Sequence, residues 1–401
     1  MSRSSDATNV FSIDRRRRRP DPARMSEFAE TARRLQRERE QEGERIARLL
    51  EETPREEWSA LAELPSLHNS GVLDRLSAEV SVRLETEPRD ALAMASLATA
   101  VAETLAPDAY PPVVRAQLRA HAWKDRAQAL SYVGRHDDAL ESIERAETLA
   151  APFGSLAHDR AIVRLVKAMT LQHLQRFEES LRLLDECRAV FLDHGDAKRQ
   201  LHCGMAEGIL LYRRREWERA RDVFVPLLEA ARSIGDLHSL AAAHSNIGHC
   251  SMDLGEVTVA TLHFNEAMRN FQDMGDLTNA LRVELGFARM LVKRGDLSGG
   301  LTRLEHARNQ FLHHQMVEEA AICGLDIVAV LLETDRLAQA RLLASRISTE
   351  YSGSPNVRGV SALQYLEERI EAHDAPAVVR HVSSYLESLR ANPQLEFVGY
   401  A

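Results

Sequence analysis

Apolar residues between Gln200 and Arg213 (Leu201, Leu211, Tyr212, with Gly204 and Gly208) fall at helical spacing. So do Ala220, Val223, Phe224, Leu227, Leu228 and Ala231 between Arg219 and Ile234, and the pair predicts two amphipathic helices. The same arrangement recurs along the chain. GRHDDAL from Gly134, QRFEESL from Gln175, REWERAR from Arg215, GEVTVAT from Gly255, GDLSGGL from Gly295 and DRLAQAR from Asp335 align on one turn and on the small residue five positions after it, with starts 41, 40, 40, 40 and 40 residues apart. A second turn, headed by Gly154, Gly195, Gly235, Gly275 and Gln315, keeps that period. Two interleaved turns with one period predict a helical hairpin per repeat. Glycine accepts the left-handed backbone that ends a helix, and the Asp after Gly195, Gly235 and Gly275 is placed to cap the next one. A lone hairpin leaves its apolar stripe uncovered, so the hairpins are expected to stack into a solenoid with atypical ends.

Small residues mark where those helices approach. In the repeat holding Gly255, Gly248 stands seven before the turn, Ala260 five after it, Phe264 four later and Ala267 three later still. Gly208, Trp217, Ala220 and Phe224 repeat the pattern, as do Ala168, Phe177, Ser180 and Leu184, and Ala288, Leu297, Gly300 and Leu304. This resembles the tetratricopeptide repeat, in a form longer than the usual period of about 34 residues and similar to the repeat regions of bacterial regulators of the maltose-activator type. The resemblance implies an all-α, right-handed superhelical solenoid of stacked antiparallel helix pairs. It implies no single activity.

Around the array of about six repeats over 118–349, the chain divides further. Residues 1–24 read as a disordered basic arm, with Pro20, Pro22 and five consecutive arginines, Arg15–Arg19. A charged helix is expected over 25–53, its sparse apolar positions Phe28, Leu35 and Leu49 hinting at a heptad seam, although a surface helix, or one docked on the end of the solenoid, fits better. Over 54–117 come a short helix around Trp58 and Leu61 and a degenerate repeat made of Val72 to Leu84 and Asp90 to Leu105. Helices near Ser361–Ala372 and Pro376–Arg390 are expected to cap the far end within 350–401, with Phe397 and Tyr400 either packed on that cap or free.

Composition narrows the classes. The chain has 401 residues, 44% hydrophobic but only 5% aromatic, with a net charge of −9, which suits a large core of Ala and Leu in stacked helices. The absence of a long apolar run and of a hydrophobic leader points to a soluble, cytoplasmic protein without membrane partners. The four cysteines, Cys187, Cys203, Cys250 and Cys323, lie in helical segments without pair spacing and are expected as buried thiols.

Chemistry is sparse. No phosphate-binding loop, dinucleotide fingerprint, H-E-x-x-H or nucleophile elbow occurs in the sequence, so an enzyme is not expected. The cluster His202, Cys203, His244, His249 and Cys250 matches no zinc spacing, and neither metal nor cofactor is expected. Function then falls to the surface. In tetratricopeptide arrays the first helix of each pair lines the concave face, and with Gly248 as the eighth repeat position the resemblance maps that groove onto His121, Lys124, Gln128, Ser131 and Tyr132; Met169, Gln172 and His173; His202, Met205, Tyr212 and Arg213; Ser245, His249, Met252 and Asp253; and Arg282, Arg289, Val292 and Lys293. Asn246 stands beside this set. The cations Lys124, Arg213, Arg282, Arg289 and Lys293 outnumber Asp253 on it, so the groove reads basic, and its methionines and tyrosines add adaptable apolar contact. The expected function is that of a regulator or adaptor binding an acidic protein or peptide. The paired asparagines and lysines of the family's carboxylate clamp are not matched, since Lys124 is followed by Gln128. The alternative partner is nucleic acid, through Arg15–Arg19.

Overall fold

The computed structural model describes residues 22–84, 87–352, 357–391 and 395–400. The basic arm expected over 1–24, with Arg15–Arg19, lies outside them apart from its last three residues. The chain divides into two compact units, Met1–Cys203 and Gly204–Ala401. All regular structure among the described residues is helical.

The first unit holds α1 (Pro22–Glu52), a 3-10 segment (Arg55–Glu63), α2 (Ser70–Arg83), α3 (Pro88–Thr104), α4 (Pro112–Tyr132), α5 (His136–Ala150), α6 (Ala157–His173), α7 (Phe177–Asp193) and the start of α8 (Ala197–Arg213). From α1 to α7 each helix packs on the next, and α4 also touches α2 and α6. The charged N-terminal helix is docked: Leu35, Ile46 and Leu50 are buried with Trp58, Leu67 and Leu76. Glu38 fixes its approach, accepting from the Tyr110 hydroxyl at 2.6 Å and the Ser70 amide at 3.2 Å. Phe28's side chain lies outside the described residues. The helix expected around Trp58 is a 3-10 segment, closed on both sides by Pro54 and Pro65.

The second unit holds the rest of α8, then α9 (Trp217–Ile234), α10 (Leu237–Asp253), α11 (Val257–Asp273), α12 (Leu277–Lys293), α13 (Leu297–His313), α14 (Val317–Glu333), α15 (Leu337–Tyr351), α16 (Val357–Arg369) and α17 (Ala375–Ala391). From α9 onward each packs on its successor, α12 touches α10 and α14, and α17 returns to lie on α14. Helices of 17 residues, as in α10 to α14, separated by three-residue turns, account for the forty-residue period. Phe397 packs on the closing helices, edge-on to Tyr385 at 4.9 Å and Tyr365 at 5.4 Å.

The turns are built as the period predicts. Gly134, Gln175, Arg215, Gly255, Gly295 and Asp335 all take positive φ, between 54° and 88°, and Gly195, Gly235, Gly275 and Gln315 do so in the second series. Each closes a Schellman motif: at Gly235 the amide donates to Arg232 and that of Asp236 to Ala231, at 3.1 and 3.0 Å. The following aspartates cap the next helix. Asp196, Asp236, Asp276 and Asp296 accept from the amides of Arg199, Ser239, Asn279 and Gly299 at 3.0, 3.0, 3.1 and 2.9 Å. Gly154 departs from the alignment. It opens a 3-10 turn, Gly154–Leu156, without positive φ; Pro152 cannot continue the preceding helix, which ends at Ala150, short of the register the other turns keep.

Small residues admit large ones. A β-carbon on Gly208 would stand 2.5 Å from the Phe224 ring, and one on Gly248 2.8 Å from Phe264. Those rings and Phe311 are fully buried beside Ala220, Ala260 and Ala307, each side chain contributing roughly 1.5–3 kcal/mol by burial.

Candidate partner-binding face

In the first unit the mapped side chains lie on α4, α6 and the start of α8. Gln128 and His202 are half-buried, and Lys124 is half-buried with its ammonium paired to Asp125. Tyr132 and Met169 are 39% and 40% exposed. His173 stacks on His136, ring centroids 4.6 Å apart. Ser131 of α4 meets Thr170 of α6 at 2.8 Å, so these first helices lie side by side. Asp159, buried on α6, accepts from Gln117 at 2.8 Å and meets His121 Nε2 at 2.8 Å. Burial would raise its pKa, but these two partners outweigh that and hold it below the usual carboxylate range.

In the second unit the face is built on α8, α10 and α12. The Tyr212 hydroxyl donates to Asp253 Oδ2 at 2.7 Å, and Lys293 Nζ reaches Asp253 Oδ1 at 3.3 Å, so one carboxylate joins three successive first helices. Burial and Asp253 together push the Tyr212 phenol well above its ordinary range. His249 contacts Met290 Sδ at 3.3 Å and stands edge-on to Phe264 at 4.9 Å, and burial lowers its pKa. Ser245, Asn246, Arg282 and Arg289 are half-buried, while Arg213 and Lys293 are exposed.

Two expectations change. Met252 is fully buried and Met205 is 9% exposed; Met205 packs with Phe224 and Ile247 and Met252 with Phe264 and Phe271, so both belong to the core between helices although Ser245 and Tyr212, at the same repeat positions, are only half-buried. The excess of positive charge is also offset. Lys124 is paired with Asp125, Lys293 with Asp253, and Arg289 with Asp326 and Glu387. Asp253 belongs to the mapped set, whereas Asp125, Asp326 and Glu387 stand outside it, so the balance of charge over that set alone reads too positive.

The cluster weighed for metal disperses. His244 meets His263 at 3.0 Å, Cys203 and Cys250 are buried, and among the described residues no three His, Cys, Asp or Glu stand together as a metal site. Among them, too, no helix is long and apolar enough to cross a membrane.

No protein-family model matches the chain, nor does any curated protein. Solved structures do. A signal transduction ATPase with numerous domains, bearing a tetratricopeptide repeat sensor, from Pyrococcus horikoshii aligns with 86% of this chain and 53% of its own, at 13% identity and a TM-score of 0.53. The fold is a tetratricopeptide-like array. This chain spans about half the length of that ATPase, 53%. A Rap protein complexed with Competence and Sporulation Factor is similar over 85% of this chain and 98% of its own, at 14% identity and a TM-score of 0.49. The apo quorum sensor NprR from B. thuringiensis is similar over 87% and 98%, at 12% identity and a TM-score of 0.49. In the array described here, the first helices carry the half-exposed polar side chains and the second helices carry exposed aliphatics such as Leu262 and Leu342.

Proposed function

We propose that this chain is a non-enzymatic regulator or adaptor that binds a protein or peptide, and that in the Gly204–Ala401 unit the partner lies across the first helices α8, α10 and α12. The observation that supports this most is the bridge from Tyr212 through Asp253 to Lys293. It links side chains of three successive first helices, and on this reading Ser245, Asn246 and Arg282 offer hydrogen-bonding groups to the partner alongside the His249 and Tyr212 rings. An extended peptide needs that combination: donors and acceptors for its backbone and adaptable flat surfaces for its side chains. Acidic groups on the partner would exchange with the chain's own carboxylates at Lys293 and Arg289.

The test is binding of the full chain to an arrayed library of acidic and neutral peptides at low and high salt, with Asn246→Ala and Lys293→Glu variants. Peptides should be selected whose affinity falls about tenfold in either variant, about 1.4 kcal/mol, with a modest response to salt. Binding indifferent to both variants, or a steep log-linear salt dependence with nucleic acid as the only ligand, would overturn it.

A further inference from the structure

Arg289, on α12, faces two carboxylates. Its Nε donates to Asp326 on α14 at 2.7 Å, and a terminal nitrogen donates to Glu387 on α17 at 2.9 Å. The two acids are not equivalent. The Asp326 side chain is 23% exposed and that of Glu387 48%, and burial pushes Asp326 above the usual carboxylate range although Arg289 acts against it. By exposure and by the shorter contact Asp326 is the built-in counter-ion of Arg289, while Glu387 is a second carboxylate held by a half-exposed ion pair, a contact of little net worth.

These three residues line a cavity of about 270 Å³. Arg380, Ser383 and Ser384 line it as well, together with the apolar side chains of Leu325, Ala329 and Val379. The guanidinium fork suits a carboxylate, two serine hydroxyls add donors, and the apolar lining suits a short aliphatic stem. Glu387, a carboxylate on a two-carbon stem, is itself such a group, supplied by the closing helix rather than by a repeat.

We propose that the cavity between α12, α14 and α17 is a carboxylate-receiving site occupied in cis by Glu387, and that it takes the terminal or side-chain carboxylate of an incoming peptide in exchange. This rests on the peptide-binding reading above and names the group that the peptide presents here. Arg380, on the same helix as Glu387 and lining the same cavity, is a second cation for that group.

The test uses the full chain, native and with Glu387→Gln, Arg289→Gln or Arg289→Lys. The probes are acetyl-Ala-Leu-Leu with a free carboxylate, the same tripeptide as its amide, and acetate, each titrated by calorimetry. Removing the competitor in Glu387→Gln should tighten binding of the free acid about tenfold, the amide should not respond, and Arg289→Gln should abolish binding. Arg289→Lys keeps a charge beside Asp326 but loses the fork, so it folds as the native chain does and binds the acid more weakly. Equal affinity of native chain and Glu387→Gln for the acid, or equal binding of acid and amide, overturns the proposal. Acetate binding as tightly as the tripeptide acid would assign the site to a free small carboxylate and overturn its assignment to a peptide. Library peptides that lose affinity in Asn246→Ala but are indifferent to Arg289→Gln would overturn this site and leave the wider face standing.

Discussion

The Tyr212 hydroxyl donates to Asp253 at 2.7 Å across 41 residues, one repeat further along the chain. Because Asp253 is also reached by Lys293 of the next repeat, this contact registers three first helices against one another. Tyr212→Phe should lower stability by about 1.5 kcal/mol, the low end for a hydrogen bond to a charged group, since Asp253 keeps one other partner. Lys293→Met should cost less than about 1 kcal/mol, since that ammonium is mostly exposed. Denaturant midpoints of the two variants provide the comparison, and a larger loss for Lys293→Met would contradict the order.

The turns make a second prediction. Gln175, Arg215, Gln315 and Asp335 hold positive φ where six sister turns use glycine. A side chain there costs about 1–2 kcal/mol, partly offset because glycine loses more entropy on folding. Each substitution to glycine should therefore stabilise by about 0.5–1 kcal/mol, and Gly235→Ala should destabilise by a similar amount. Thermal midpoints measured on single variants decide it.

Close packing gives a third. Gly248→Ala forces a β-carbon to within 2.8 Å of the Phe264 ring and should cost about 1–3 kcal/mol. Phe264→Leu in the same chain should return part of that loss. A double-mutant cycle with zero coupling energy would mean that the helices separate freely at this point.

The His244 and His263 pair sets a pH dependence. Burial, with His263 beside it, lowers His244 from 6.5 to about 4, and burial lowers His263 as well. Between those values the unfolded chain binds a proton that the folded chain does not. Stability is thus fully present above pH 6.5 and falls as the pH drops from there towards 4. In His244→Gln the decline over that window should be shallower, as measured by denaturation at a series of pH values.

The period made most of this architecture legible in the sequence. Gln175, Arg215 and Asp335 carry no turn signature of their own, and only their register with Gly134, Gly255 and Gly295 marks them as left-handed. Gly154 departs from that register because Pro152 stops the preceding helix at Ala150. The face was legible by position but not by charge. Asp125 is a chain neighbour of Lys124, yet Glu387 reaches Arg289 across 98 residues, through the packing of α17 on α14. Met252 shows the remaining limit: a repeat position gives a direction from the helix axis, and the helix packed alongside decides whether that direction is open.

The most direct test of the central claim is site-specific photo-crosslinking in the cells the protein comes from, with a benzophenone side chain at Asn246 on the first-helix face or at Leu262 on the second-helix face of the full chain. Discrete adducts with a protein or peptide from Asn246, lost when Lys293→Glu is added and absent from Leu262, are the predicted result. Adducts that form from Leu262 and not from Asn246 would place the partner on the opposite face and contradict the account.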